Sequence, residues 1–118
     1  MLEDAERLIF DASLHLEGKR FQEAAKVSWD AMQSAANGLL STKGLLLSDN
    51  YDVVAEFRKH FLETRSFFPG CADYLFKAAG EGKDEISPTR SRQRVEEANL
   101  FIEEAHITYS RMAANAAE

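Results

Sequence analysis

The sequence predicts an all-α domain, an up-and-down antiparallel bundle of four main helices plus a short helix, on three observations. Apolar residues recur at alternating spacings of three and four along long stretches, the period of a helix that buries one face. Prolines occur only at positions 69 and 88, so long helices fit in the gaps. No segment shows the apolar–polar alternation of a half-buried strand. At 118 residues, 45% hydrophobic and 29% charged, residues 1–118 make a single domain that can fold without disulfide or metal.

The first helix is expected over residues 2–17. Leu2, Ala5, Ile9, Ala12 and Leu16 form one stripe, and Phe10 and Leu14 form a second apolar pair roughly opposite it. Two apolar faces imply contact on both sides, and Gly18 then breaks the helix. Residues 20–42 carry the clearest pattern: Phe21, Ala24, Ala25, Ser28, Met32, Ala35, Ala36 and Leu39 fall on one face, with Trp29 at its edge. Many of these are small, so a neighbouring helix can approach closely. Gly44 is a C-terminal stop, and Leu45, Leu46 and Leu47 make an apolar connection that is tucked under the bundle or part of an interface.

Ser48, Asp49 or Asn50 can cap a third helix to about residue 65, with Val53, Val54, Phe57, Phe61 and Phe68 as its apolar positions. Phe67-Phe68-Pro69-Gly70 interrupts the pattern as a turn. Cys71–Ala79 then forms a short helix with Tyr74, Leu75 and Phe76, and residues 80–85 a polar loop. Ser87-Pro88 starts the last helix, a cap residue followed by proline at the first helical position. Its seam is Val95, Ala98, Ile102, Ala105, Tyr109 and Met112, and it runs to about residue 115.

The acidic N-terminus is unlike a signal peptide, and no apolar run reaches the roughly 18 residues that suggest a membrane span. A cytoplasmic protein without membrane contact is therefore expected. The single Cys71 cannot form an intramolecular disulfide, which fits a reducing compartment. A net charge of −6 argues against unspecific nucleic-acid binding, which needs a basic surface.

The run Phe21-Gln22-Glu23-Ala24-Ala25, then Ala31, Ala35-Ala36, Leu39-Leu40 and Gly44, resembles the second helix of the HEPN family. The next helix, with Val54, Phe57, His60 and Phe61, and the long last helix are similar in order and length, so the resemblance covers about residues 2–112. It implies a helical bundle that dimerises, with ribonuclease, nucleotide-binding or nucleotidyltransferase-partner roles in different branches. It also implies a second possibility, an accessory domain appended to or associated with a larger enzyme, such as a nitrite or sulfite reductase. The nuclease branch needs an Arg followed a few residues later by His. None of His15, His60 and His106 has an Arg five to seven positions before it, and Asn99 stands where Arg94 would require the histidine. Asparagine has no titratable nitrogen to act as a base. A non-catalytic module without cofactor, binding a nucleotide or a partner as a homodimer, is the resulting expectation.

Arg90, Arg92 and Arg94 open the last helix, where positive charge opposes the helix dipole. With Lys83 they could hold a phosphate at the helix N-terminus. The alternative, which we favour, is that Glu96 and Glu97 pair with them at the surface. Arg92, Asn99 and His106 are seven apart and form a polar stripe beside the seam, suited to a ligand or a dimer mate, although an ordinary core boundary is the reading we favour.

Each histidine has a carboxylate on its own helix: Asp11 for His15, Glu56 for His60, Glu103 for His106. Glu103-x-x-His106 is half of a di-iron motif whose other ligands are not evident, so surface pairs explain these residues better than a metal site. Cys71 is read as buried packing rather than as a nucleophile. Phe67, Phe68, Tyr74 and Phe76 are read as core or interface rather than a base-stacking platform, for want of interleaved basic residues.

Overall fold

A computed structural model describes residues 2–42, 52–62, 67–81 and 86–116. These form α1 (Glu3–Glu17), α2 (Phe21–Thr42), α3 (Val53–Phe57), α4 (Pro69–Glu81) and α5 (Pro88–Ala116), and α3 continues into one π-helical turn, Arg58–Leu62. The class is all-α, with no strand among the described residues. Leu45, Leu46 and Leu47, like Gly44 and Ser48–Asn50, lie outside the described residues.

Glu3, Asp4 and Glu6 place negative charge in the first turn of α1, where it favours the helix dipole. The helix ends in a Schellman arrangement: Lys19 N–H donates to the Leu16 carbonyl (3.0 Å) and Arg20 N–H to that of His15 (2.8 Å). The left-handed residue is Lys19, with φ of 60°, and not Gly18. Gly18 itself has an ordinary φ of −83°. A Cβ there would strike the Arg20 guanidinium, which folds back so that its Nε donates to His15 Nδ1 at 2.8 Å.

The connection Gly18–Arg20 reverses the chain, so α1 and α2 pack antiparallel. Ala24, Ala31, Ala35 and Ala36 are all fully buried, and their small side chains let α2 serve as the central helix, packed chiefly on α1 and α5. At one end of α2, Ser91 Oγ donates to the Phe21 carbonyl at 2.7 Å; at the other, Thr42 Oγ1 reaches Met112 Sδ at 3.8 Å. α2 and α5 therefore run parallel. Lys77 lies 4.0 Å from Glu97, and Phe68 N–H donates to Glu104 at 3.4 Å, which sets α4 antiparallel to α5.

The third helix departs from expectation. Its cap is Asp52, whose Oδ1 accepts from the Ala55 N–H at 3.1 Å, and not Ser48, Asp49 or Asn50. α4 begins earlier than expected: Pro69 is its first residue rather than a turn, because a missing N–H is harmless there. Phe67 is then buried at 2% exposure and Phe68 turns outward at 60%. The rings of Phe57, Phe67 and Phe101 meet at centroid distances of 5.0–5.5 Å, and Phe61 stacks on Phe57 at 5.1 Å. This cluster fastens the short α3 to α5, each pair adding about 0.5–1.5 kcal/mol beyond burial. A smaller cluster of Ala12, Ala24 and Val95 joins α1, α2 and α5 at the other end. No described helix is long and apolar enough to cross a membrane.

Candidate functional site

Two concave surfaces flank α5. The first is a groove of about 810 Å³ between α1 and α5. Ile9, Leu16 and Val95 line its apolar part, and Phe10 stands in it at 64% exposure. Its polar groups are Glu6, Glu17 and Glu96 against Arg92, together with Ser13 and Asn99. Four residues along α1, Leu14 is 43% exposed, so the second apolar pair of α1 is not covered by any of the described residues. On α5, Leu100 and Ile107 are 44% and 53% exposed and lie seven residues apart, hence on one flank of the helix.

The stripe of Arg92, Asn99 and His106 runs along this side of α5. Arg92 and Asn99 line the groove, and the Arg92 guanidinium sits 5.9 Å from the centroid of the Phe21 ring, near the outer limit for cation–π attraction. His106 Nε2 lies 2.8 Å from Glu6 Oε1 of α1. It thus meets a carboxylate on another helix rather than Glu103 of its own. His15 likewise accepts from Arg20 instead of facing Asp11, whereas His60 and Glu56 do pair, at 3.3 Å.

The three arginines do not converge on one anion. Ser87 caps α5 by accepting from the Arg90 N–H at 3.1 Å, and the Arg90 side chain extends along the helix to Glu97 at 2.9 Å. Both partners are largely buried, at 19% and 17% exposure, so Arg90 is held by a carboxylate. Arg92 points to the α1 side, with Glu96 lining the same groove. Arg94, at 4% exposure, lines the second concave surface, a cleft of about 600 Å³ between α2, α4 and the start of α5. Helical spacing sends Arg92 to the other side of α5 from Arg94, because alternate positions fall about 200° apart around the axis, whereas Arg90 is set apart by the Glu97 carboxylate that holds it.

Among the described residues, no three His, Cys, Asp or Glu side chains gather as metal ligands. Burial raises the Cys71 thiol above its ordinary value of 9.0, with the carboxylates of Glu104 and Glu103 adding to the effect. A thiol shifted in that direction is a poorer nucleophile at neutral pH. The sequence pattern missed Leu100 and Ile107, although their seven-residue spacing places them on one helix flank just as the four-residue spacing places Phe10 and Leu14. It also missed the grouping of Trp29 with Ala78, Ala79 and Ile86 around Arg94, which depends on how α4 docks.

A scan against protein-family models and a search of curated proteins each return no match for this chain.

Proposed function

We propose that the chain works by binding rather than catalysis, as a helical interaction module whose α1–α5 side meets a second copy of itself. The observation that carries this reading is the pair Phe10 and Leu14, 64% and 43% exposed on a helix whose other face is buried. Exposed apolar groups that cluster beside a groove mark an interface far more often than isolated ones do. Leu100 and Ile107 extend the apolar surface on α5.

A second copy suits this surface. The molecule measures 47 × 26 × 25 Å, so its long side exceeds the roughly 800 Å² per partner that a standard interface covers. A two-fold arrangement places the same patch on both subunits, and Arg92 of one copy can then face the acidic groove of the other. The groove is a poor host for a nucleotide, because Glu6, Glu17 and Glu96 outnumber Arg92. Arg90, engaged by Glu97, adds nothing to such a site. The HEPN-like up-and-down reading supports the dimer only through the sequence pattern of α2 and the order of helices.

Sedimentation velocity on wild type and Phe10→Glu tests the proposal. Placing a charge in an apolar contact should weaken self-association at least about tenfold, equivalent to about 1.4 kcal/mol. Self-association unchanged in Phe10→Glu and in Leu14→Glu would overturn the assignment of this face.

A further inference from the structure

We propose that the cleft between α2, α4 and the start of α5 binds a small aromatic monocarboxylate. This site is separate from the α1–α5 groove and rests on different residues. Its volume of about 600 Å³ falls within the roughly 300–1,000 Å³ of small-molecule pockets. Its walls are apolar: Trp29 and Ala25 from α2, Ala78 and Ala79 from α4, and Ile86 ahead of α5. Three alanines make the room, since any larger side chain there would fill it. Half-buried Trp29 supplies a flat surface on which an aromatic ring can stack.

The charge in this apolar setting is Arg94, which lines the cleft while only 4% exposed. A guanidinium presents five N–H donors in a planar fork, more than one carboxylate can take. It can therefore hold a protein group and a ligand at once. The fork matches a carboxylate through two parallel hydrogen bonds, and apolar walls strengthen that attraction relative to water. The rim limits the ligand's charge. Lys26 is tied to Asp30 at 3.3 Å, and Glu23 adds a further negative group. A di- or triphosphate would meet both acids, whereas a single carboxylate carried on a ring reaches Arg94 with its apolar body against Trp29. The wall is braced where Gln22 Nε2 donates to the Ile86 carbonyl at 3.3 Å.

Trp29 is the chain's single tryptophan, so its emission reports on this cleft alone. Titration with 3-phenylpropionate, excited on the red edge of the indole band, should shift that emission saturably. The uncharged 3-phenylpropionamide should bind at least about tenfold more weakly, matching the loss of one charge-assisted contact. Arg94→Met should reduce carboxylate binding to the level of the amide. Ala79→Phe fills the cleft from an exposed position, where the fold tolerates it, and should abolish binding of both compounds. It keeps the test decisive if Arg94→Met fails to fold. Equal binding of acid and amide, binding that survives Ala79→Phe, or no saturable change with the acid would each overturn the proposal.

Discussion

Replacing Phe101 by alanine should be among the most damaging single changes in the chain, and replacing its neighbour Leu100 among the mildest of the large apolar ones. Phe101 has no exposed surface and packs against Phe57 and Phe67 at 5.5 and 5.0 Å. Removing a fully buried ring costs about 3–5 kcal/mol, from lost transfer energy plus the cavity left behind. The lost ring–ring contacts place the value toward the upper part of that range. Leu100, 44% exposed, faces away from the core, and its truncation should cost under about 1 kcal/mol, because little of its surface leaves contact with the protein. A domain of this size has about 5–15 kcal/mol in total, so Phe101→Ala would leave a folded but marginal protein. Urea unfolding followed by helical circular dichroism at one fixed protein concentration measures both, read as a shift in midpoint at unchanged slope. A Phe101→Ala cost below about 1.5 kcal/mol, or equal costs at the two positions, would refute the packing of α5 described above.

Three further expectations follow from local geometry. Ser87→Ala removes the side-chain acceptor of the Arg90 N–H and should cost about 1 kcal/mol, measured by thermal or urea unfolding; no change would mean that the cap is idle. Lys19→Gly relieves a left-handed lysine at φ of 60° and should stabilise by about 0.5–1 kcal/mol, the strain relieved less the added chain entropy; destabilisation would argue against this conformation. For Cys71, burial raises the folded thiol's pKa above 9.0, so the native state holds the proton more tightly than the unfolded one. The stability linked to this group is complete below pH 9 and declines as pH rises through the folded value. At pH 8 the native chain should react with a thiol-reactive disulfide more slowly than the urea-unfolded chain, and equal rates would contradict the assignment.

The parts of the fold that sequence alone makes legible are those in which one helix face decides burial. Along α2, Ala24, Ala25, Ser28, Met32, Ala35, Ala36 and Leu39 are all buried, as their period requires, but so are Ala31 and Leu40. α2 touches helices on several sides, and a single stripe cannot express a buried arc that wide. On α5 the stripe from Val95 to Ala105 is buried, while Tyr109 is 38% exposed and Phe101, off the stripe, is fully covered. α4 and the aromatic cluster cover that flank, which is tertiary information. Phe67 and Phe68 are indistinguishable by local pattern. Only the start of α4 at Pro69 decides which turns inward.

The candidate site was legible to the same degree. The exposed pair on α1 and the Arg92–Asn99–His106 alignment follow from helical spacing alone. The separation of Arg90 from Arg94 does not, because the two lie on neighbouring flanks of α5 and their surroundings depend on how α2 and α4 dock. Glu6 as the partner of His106 is likewise set by the docking of α1 on α5, and intrahelical spacing pointed to Glu103 instead.

The claim that this is a self-associating module is tested most directly by the solution mass of the wild-type chain, followed by light scattering across a concentration series. A self-associating chain shows a mass that rises toward about twice the 13.3 kDa of one chain as concentration increases through the micromolar range, the regime of interfaces held by about 8 kcal/mol. A mass that stays at that of a single chain up to the highest soluble concentration would contradict the claim.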